Sequence, residues 1–288
     1  MTLPIFSSGD DPGASFQELL RRSGLDSNAI SHGANSNERG LIEHVHATTI
    51  VSLRYSDGVV MAGDRRATAG VTIANRAMQK VFPADRYSGV SISGSAGAAS
   101  EMVKLFQLEL EHYEKVEGSP LSLEGKANRL SGMVRSNLPM VIQMGMVVIP
   151  IFAGYDLRRR VGRIFDFDIT GGRYEEKNHT ATGSGGRYAN SVMKLRWREG
   201  LDRAAAIDIA IEALFEAADQ DAATGGPDSI RGIYPQIATI TADGYTESDE
   251  DEVAQRFALL VDRLRQAGGL PGAVNDGGRI LTQEVAPS

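Results

Sequence analysis

The sequence contains no cysteine among its 288 residues. Disulfides, thiolate metal ligands and cysteine nucleophiles are therefore excluded, and this absence is compatible with a reducing compartment. The longest apolar run, residues 144–153, is interrupted by Gly145 and Pro150, and it falls short of the roughly 20 apolar residues that span a bilayer. The first 30 residues also lack the basic start and apolar middle of a secretory signal. We therefore expect a cytoplasmic protein that does not contact a membrane.

Basic residues are too few for a nucleic-acid-binding surface. The 30 Lys and Arg residues are outnumbered by 37 Asp and Glu residues, which gives a formal net charge of -7, whereas nucleic-acid-binding domains usually carry a basic patch. The dense basic run at residues 158–160 lies between two strand-like segments and is more typical of a solvated hairpin tip. We therefore expect no nucleic-acid partner.

The composition and the residue pattern of the chain change at residue 48. Residues 1–47 include stretches rich in Ser, Asn and Gly, which cannot bury enough apolar surface to order themselves; they could be a floppy tail or a pro-segment that is removed on maturation. Residues 48–266 carry strand alternation and helical periodicity and are predicted to form one domain. Residues 267–288 are rich in Gly and Pro and are predicted to be a flexible tail.

The order of predicted elements indicates an α+β fold. Alternation predicts strands at 48–55, 59–62, 71–74, 79–82, 87–93, 146–155, 163–168, 180–183 and 236–241. Periodicity predicts helices around 99–113, 122–138, from 185 onward, 203–218 and 253–264, with Pro139 ending the second. Helix pairs between antiparallel strands predict a four-layer αββα sandwich, in which two antiparallel sheets are flanked by helix pairs.

A set of short motifs spreads over residues 44–245. Its members are TTIV at 48–51, GDRRAT at 63–68, Lys80, GSAG at 94–97, GSG at 183–185 and DAATGG at 221–226. Each motif alone is weak, but the ordered set resembles a proteasome β subunit of the actinobacterial type, a member of the N-terminal-nucleophile (Ntn) hydrolase family. That resemblance implies the same αββα fold.

Thr48 is the candidate nucleophile. A threonine hydroxyl is a poor nucleophile unless a base takes its proton, and the five histidines show no clear partner pattern for it. A threonine that begins a chain supplies its own base, because a free α-amino group has a pKa of about 7.7–8.0. The activity therefore requires cleavage of the Ala47–Thr48 bond. On Thr48 and Thr49 alone, two β-forming residues in a strand would be the favoured explanation, and the other motifs reverse that preference.

The resemblance implies further catalytic residues. Asp64 and Lys80 match the family's catalytic aspartate and lysine, and a nearby ammonium would stabilise the developing alkoxide. The backbone N–H of Gly94 fits an oxyanion donor ahead of a helix. The family's supporting hydroxyls and carboxylate fall on three further residues, Ser184, Asp221 and Thr224. Asp64 could instead be a turn residue, Gly94 a plain tight turn and Asp221 a helix-end residue.

Substrate contacts can also be assigned by resemblance. Thr68 matches the residue whose backbone pairs with an extended peptide. Ala67, Met78, Ile92 and Ala96 would line the pocket before the cleaved bond, and their apolar character predicts a chymotrypsin-like preference for apolar or aromatic side chains. Met78 and Ile92 could alternatively be core residues.

Two positions depart from the family pattern. Ala47 stands where glycine normally precedes the nucleophile, and its Cβ restricts the tight bend that self-cleavage requires. Gly186 stands where the family usually has a serine, which leaves fewer hydroxyls near the terminal amine. The pair His44 and His46 has no third ligand nearby, so we expect no metal site.

The favoured function is that of a threonine endopeptidase, without metal or organic cofactor, acting on protein or peptide substrates. The resemblance implies a homo-heptameric β ring, stacked against rings of proteasome α subunits and supplied with substrate by an ATPase ring regulator. One alternative is a non-catalytic or poorly processed ring subunit, favoured by Ala47 and Gly186. Another is a different Ntn hydrolase, such as an HslV-type peptidase or an amidase, although HslV-type chains lack a long pro-segment and the double arginine.

Overall fold

The computed structural model describes residues 48–69 and 72–267. The predicted pro-segment at 1–47, with Ala47 and both His44 and His46, lies outside the described residues, as does the predicted tail beyond Ala267. Within the described ranges, no helix combines the length and hydrophobicity needed to cross a membrane.

The described residues form twelve strands and six helices. The strands are β1 (Thr49–Tyr55), β2 (Gly58–Gly63), β3 (Ala67–Ala69), β4 (Thr72–Asn75), β5 (Val81–Asp85), β6 (Ser88–Gly94), β7 (Val148–Asp156), β8 (Val161–Phe167), β9 (Arg173–Glu176), β10 (His179–Gly183), β11 (Gln236–Thr241) and β12 (Gly244–Glu247). The helices are α1 (Ala96–Glu117), α2 (Leu123–Ser136), α3 (Leu138–Met144), α4 (Gly186–Arg196), α5 (Arg203–Gln220) and α6 (Glu250–Gln266).

Two five-stranded antiparallel sheets make up the centre of the fold. The first sheet has the order β10-β1-β2-β11-β12, and the second has the order β5-β6-β7-β8-β9. The β3–β4 ribbon is separate from both sheets. The β1–β2 hairpin has a two-residue turn at Ser56 and Asp57, and Thr49 of β1 pairs with Gly183 of β10.

Three apolar clusters fill the spaces between four layers, which are two sheets and a helical layer on the outer face of each. One lies between the sheets and includes Ile50, Met61 and Ile151. A second packs the first sheet against α4, α5 and α6, and a third packs the second sheet against α1 and α2. Because strand side chains alternate, neighbouring residues Ile50 and Val51 contribute to different clusters. The predicted αββα sandwich is therefore confirmed.

Several local predictions require correction. Pro139 does not end the second helix; α2 stops at Ser136, and Pro139 lies in the first turn of α3, where its missing N–H has no helical partner to lose. The predicted strand at 79–82 begins later, at Val81, and continues to Asp85. Strands β9 and β12 were not predicted, because each is four residues long, with two exposed residues and no regular alternation of burial.

Candidate active site

Thr48 lies directly before β1 and is almost fully buried, with 5% of its surface exposed. Its carbonyl accepts a hydrogen bond of 3.0 Å from the Ser184 main-chain N–H. The neighbouring Gly183 has a φ of +100°, and a Cβ there would lie 1.7 Å from the Thr48 carbonyl oxygen. Only glycine therefore allows the end of β10 to hold the start of β1 so closely.

Asp64 and Lys80 form a fully buried ion pair at the end of β2. Lys80 Nζ donates to Asp64 Oδ1 at 2.7 Å and to the Arg66 carbonyl at 2.6 Å. Asp64 Oδ1 also accepts the Thr49 main-chain N–H at 2.8 Å, while Oδ2 accepts the N–H groups of Arg66 and Gly225, each at 2.9 Å. Such a carboxylate is fixed by several strong donors. We call this pair with its partners the ion-pair half of the site.

The main chain of Lys80 is fixed as tightly as its side chain. Gln236 Oε1 on β11 accepts the Lys80 N–H at 3.1 Å, and the Lys80 carbonyl accepts the N–H of Ile92 on β6 at 3.0 Å. Burial lowers the pKa of Lys80, and the Asp64 carboxylate opposes that shift. The lysine therefore bridges the two sheets with its ammonium turned towards Asp64.

Hydroxyl groups and a carboxylate form the other half. Ser184 Oγ donates to Asp221 Oδ2 at 2.5 Å, and Thr224 Oγ1 donates to the same oxygen at 2.6 Å. Thr224 Oγ1 lies 2.6 Å from Thr49 Oγ1, which accepts the Gly185 N–H at 3.0 Å. We call this group the hydroxyl half. The two halves meet at Thr49, whose main chain belongs to the first and whose side chain belongs to the second.

The hydroxyl half depends on the turn after α5. Asp221 is the C-cap of that helix, and its carbonyl accepts the Thr224 N–H at 3.0 Å. The Arg66 guanidinium holds the turn from outside, because Nη1 donates to the carbonyls of Ala222 and Thr224 at 3.0 and 3.3 Å. Gly225 then passes so close to Arg66 that a Cβ would lie 2.5 Å from the arginine Cβ.

Gly94 ends β6 immediately before α1. Its φ is +107°, and a Cβ would lie 2.1 Å from the Val147 carbonyl oxygen, so the position requires glycine. Two residues earlier on the same strand, Ile92 is bonded to the Lys80 carbonyl. A two-residue step along a strand is roughly 6–7 Å. Gly94 therefore lies about that distance from Ile92, the residue whose main chain contacts Lys80.

The predicted substrate-binding residues are not equally accessible. Ala67 and Thr68 on β3, Met78, and Ala96 at the start of α1 are half-buried. Ile92 is only 3% exposed and packs in the cluster between the second sheet and α1 and α2. In the single chain Ile92 is therefore a core residue, which was the alternative considered for it, and the other four line more open surface.

Sequence reasoning missed three residues that hold the site together. Thr49 bonds to both halves, Arg66 accepts from Lys80 and braces the 221–224 turn, and Gly183 supports the Thr48 carbonyl. Each of the three lies next to a residue that was predicted, and its motif was explained by that neighbour. Two signals could have identified them: the second threonine of the Thr48–Thr49 pair and the second arginine of the Arg65–Arg66 pair.

Comparison with known proteins gives the family. The family model described as "Proteasome subunit" matches residues 44–231. A curated protein of Acidimicrobium ferrooxidans named "Proteasome subunit beta" is 52% identical over 269 residues, which cover 93% of this chain and 96% of the relative. One of the same name from Streptomyces griseus is 56% identical over 234 residues, 80% of this chain and 82% of the relative. The chain therefore belongs to the proteasome subunit family, as a β-type subunit of the proteasome core.

Proposed function

We propose that this chain is a threonine endopeptidase whose nucleophile and base are the hydroxyl and the exposed α-amine of Thr48. The observation that carries this proposal is the buried Asp64–Lys80 pair beside the start of β1. A buried charge pair of this kind is costly to desolvate, and such perturbed groups are frequent at functional sites. The carboxylate and hydroxyls around Asp221 add a polar environment on the opposite side of the same residue pair, Thr48 and Thr49.

The strand geometry favours contact between Thr48 and Lys80. Side chains alternate along a strand, so Thr48 shares the inter-sheet face with Ile50. A Cβ built on Gly63 would lie 3.2 Å from both Ile50 Cγ2 and Lys80 Cβ, which puts the lysine on that face too. An ammonium has three donors; Asp64 and Arg66 accept two of them, and we assign the third to the Thr48 oxygen.

The reaction then follows from the residues present. The Thr48 amine takes the hydroxyl proton, and Oγ1 forms a bond to the carbonyl carbon of the peptide. The Lys80 ammonium stabilises the alkoxide, and the Gly94 N–H stabilises the tetrahedral oxyanion. The C–N bond breaks as the amine returns the proton to the leaving nitrogen, which leaves an ester on Thr48. Water, deprotonated by the same amine, hydrolyses that ester.

This mechanism requires maturation, so the chain is proposed to be a zymogen. Until the Ala47–Thr48 bond is cut, the Thr48 nitrogen is an amide with no basicity. Because Ala47 restricts the bend more than glycine would, we propose that self-cleavage is slow or occurs only in the assembled ring. Residues 1–47 would leave as the pro-segment.

Membership of the family implies assembly into the proteasome core. The finer proposals are a homo-heptameric β ring, contact with α-subunit rings, delivery of substrate by an ATPase ring, and a cytoplasmic location. We also propose a preference for apolar or aromatic side chains before the cleaved bond, since three of the assigned residues that line more open surface, Ala67, Met78 and Ala96, are apolar.

The test is hydrolysis of a fluorogenic peptide by assembled protein, with intact mass measured on the same sample. Thr48→Ala is expected to abolish hydrolysis and to retain residues 1–47, because nucleophile and base are both affected. The matched control is Thr246→Ala, on the exposed face of β12, which should retain full activity. Equal hydrolysis by the wild type and Thr48→Ala would contradict the proposal.

A non-catalytic ring subunit is the second candidate. It is favoured by Ala47 and Gly186, the two departures from the family pattern. Assembled wild-type particles whose intact mass includes residues 1–47, and which do not hydrolyse peptides with apolar residues before the cut bond, would establish it. Sequencing of the amino terminus of the assembled particle separates the two functions, because only the first begins at Thr48.

A further inference from the structure

Thr49 is the residue at which both halves of the site meet, and its side chain is completely buried. We propose that Thr49 is a positioning residue: its hydroxyl donates to Thr224 and so fixes Thr224 in the hydrogen-bond chain that ends on Asp221. In this way it holds Thr224 and Asp221 in place beside the amine of Thr48. The inference rests on the proposed function and adds to it a residue with no assigned role in the reaction.

The direction of the chain follows from counting protons. A main-chain N–H can only donate, so Thr49 Oγ1 accepts from Gly185 at 3.0 Å. An ionised carboxylate only accepts, so Thr224 gives its single proton to Asp221 Oδ2 at 2.6 Å. The contact of 2.6 Å between Thr224 Oγ1 and Thr49 Oγ1 must then use the proton of Thr49.

The backbone of Thr49 is fixed by the ion-pair half. Its N–H donates to Asp64 Oδ1, the oxygen that also accepts from Lys80. The Cα of Thr49 pairs in register with that of Gly183 on β10. The main chain of Thr49 is therefore fixed by Asp64 and by β10. A fixed main chain lets the Thr49 hydroxyl orient the Thr224 hydroxyl, as a supporting residue of an active site must do.

Thr49→Val tests the role because valine keeps the β-branched shape and removes only the hydroxyl. The Thr224 hydroxyl then loses its donor and keeps the bond that it gives to Asp221, so its position is less tightly fixed. We expect kcat for peptide hydrolysis to fall about three- to tenfold, the range for one lost hydrogen bond. KM should stay within about twofold, because the side chain is buried beneath the site. Thr49→Ser, which restores the hydroxyl, should recover most of kcat.

Rates are divided by the fraction of chains that begin at Thr48, measured by intact mass, so that slower maturation is not mistaken for slower chemistry. The matched control is Ser52→Ala, on the same strand. Ser52 is also fully buried, but its hydroxyl donates to the Val60 carbonyl at 3.0 Å, outside the site. It should lower thermal stability and leave kcat per mature chain unchanged.

A double-mutant cycle adds a second test. In a Thr224→Val background the chain is already broken, so adding Thr49→Val should change kcat by less than twofold. Additive effects, a wild-type kcat for Thr49→Val, or an equal loss in Ser52→Ala would each overturn the inference. If Thr49→Val does not assemble, Thr49→Ala removes the same hydroxyl with less bulk. Retained activity in Thr48→Ala would instead overturn the proposed function itself.

Discussion

The two halves of the site use different kinds of support. In the ion-pair half, Asp64 and Lys80 are charged, fully buried and held mainly by main-chain groups. In the hydroxyl half, Ser184 and Thr224 converge on one oxygen of Asp221, and the contacts are between side chains.

This difference predicts different tolerance to substitution. A buried charge that loses its partner stays uncompensated, because water cannot reach it. A hydroxyl that loses its partner leaves a smaller dipole, and a second hydroxyl still bonds to Asp221. The ion-pair half should therefore respond to a single change with loss of both folding and activity, whereas the hydroxyl half should lose activity in steps.

The largest effect is expected for Lys80→Met, which keeps the length of the side chain and removes its charge. Asp64 would remain buried with three main-chain donors and no counter-charge, so the free energy of unfolding should fall by about 3 kcal/mol. Without the ammonium near the alkoxide, hydrolysis should fall by about 10³-fold, and intact mass should show residues 1–47 retained. Thermal unfolding and peptide hydrolysis check the two parts separately.

The control for this change is Lys126→Met. Lys126 on α2 is also buried and forms an ion pair with Asp85, but that pair lies away from Thr48. It should lower thermal stability while hydrolysis per mature chain stays at the wild-type level. If Lys126→Met reduced hydrolysis as strongly as Lys80→Met, the ion-pair half would have only a structural role, and the comparison of the two halves would fail.

The sequence predicted the charged half better than its supports. Asp64 and Lys80 could be assigned because they match the family's catalytic aspartate and lysine within the ordered set of motifs, whereas residue type alone would have allowed a turn residue and a solvated charge. The main-chain donors from Thr49, Arg66 and Gly225 could not be assigned, because a backbone N–H carries no sequence signal. Which of them reach one carboxylate depends on the β1–β2 register and on the 221–225 turn.

A smaller effect is expected for Asp221→Asn. The amide is similar in size but has no charge, so it accepts more weakly from Ser184 and Thr224. We expect kcat to fall by about 10²-fold and the free energy of unfolding to fall by about 1 kcal/mol. The control is Asp228→Asn, in the same loop but paired with Arg231, which should retain activity. A loss of stability as large as that of Lys80→Met would remove the distinction between the halves.

The fold shows a similar limit on prediction. Long helices such as α1 and α5 were predicted because burial of one face imposes a period on the residues. The strands β1, β6 and β7 are buried on both faces, and they were predicted from their residue pattern. Exposed edge strands such as β9 carry no such period, since neither face is in the core. Pro139 was misread because proline can end one helix or begin the next, and here it lies in the first turn of α3.

The smallest effect is expected for Gly186→Ser, which tests whether the hydroxyl half has room for a further donor. Gly186 is the first residue of α4, and a Cβ there would lie 3.2 Å from the Ala181 carbonyl oxygen, so the main chain of β10 must shift by a few tenths of an ångström to make room for it. Serine also loses less backbone entropy than glycine.

We expect stability to rise by at most about 0.5 kcal/mol and kcat to rise about two- to threefold, because the new hydroxyl lies two residues after Ser184 and can donate near the terminal amine. Gly132→Ser on α2 is the matched control: a Cβ there meets no atom of the described residues within 4 Å, so any helix-propensity effect appears without a change in kcat. A fall in kcat for Gly186→Ser, with stability unchanged, would show that the hydroxyl half is already complete with Ser184 and Thr224. Glycine would then be the residue that its geometry requires at position 186.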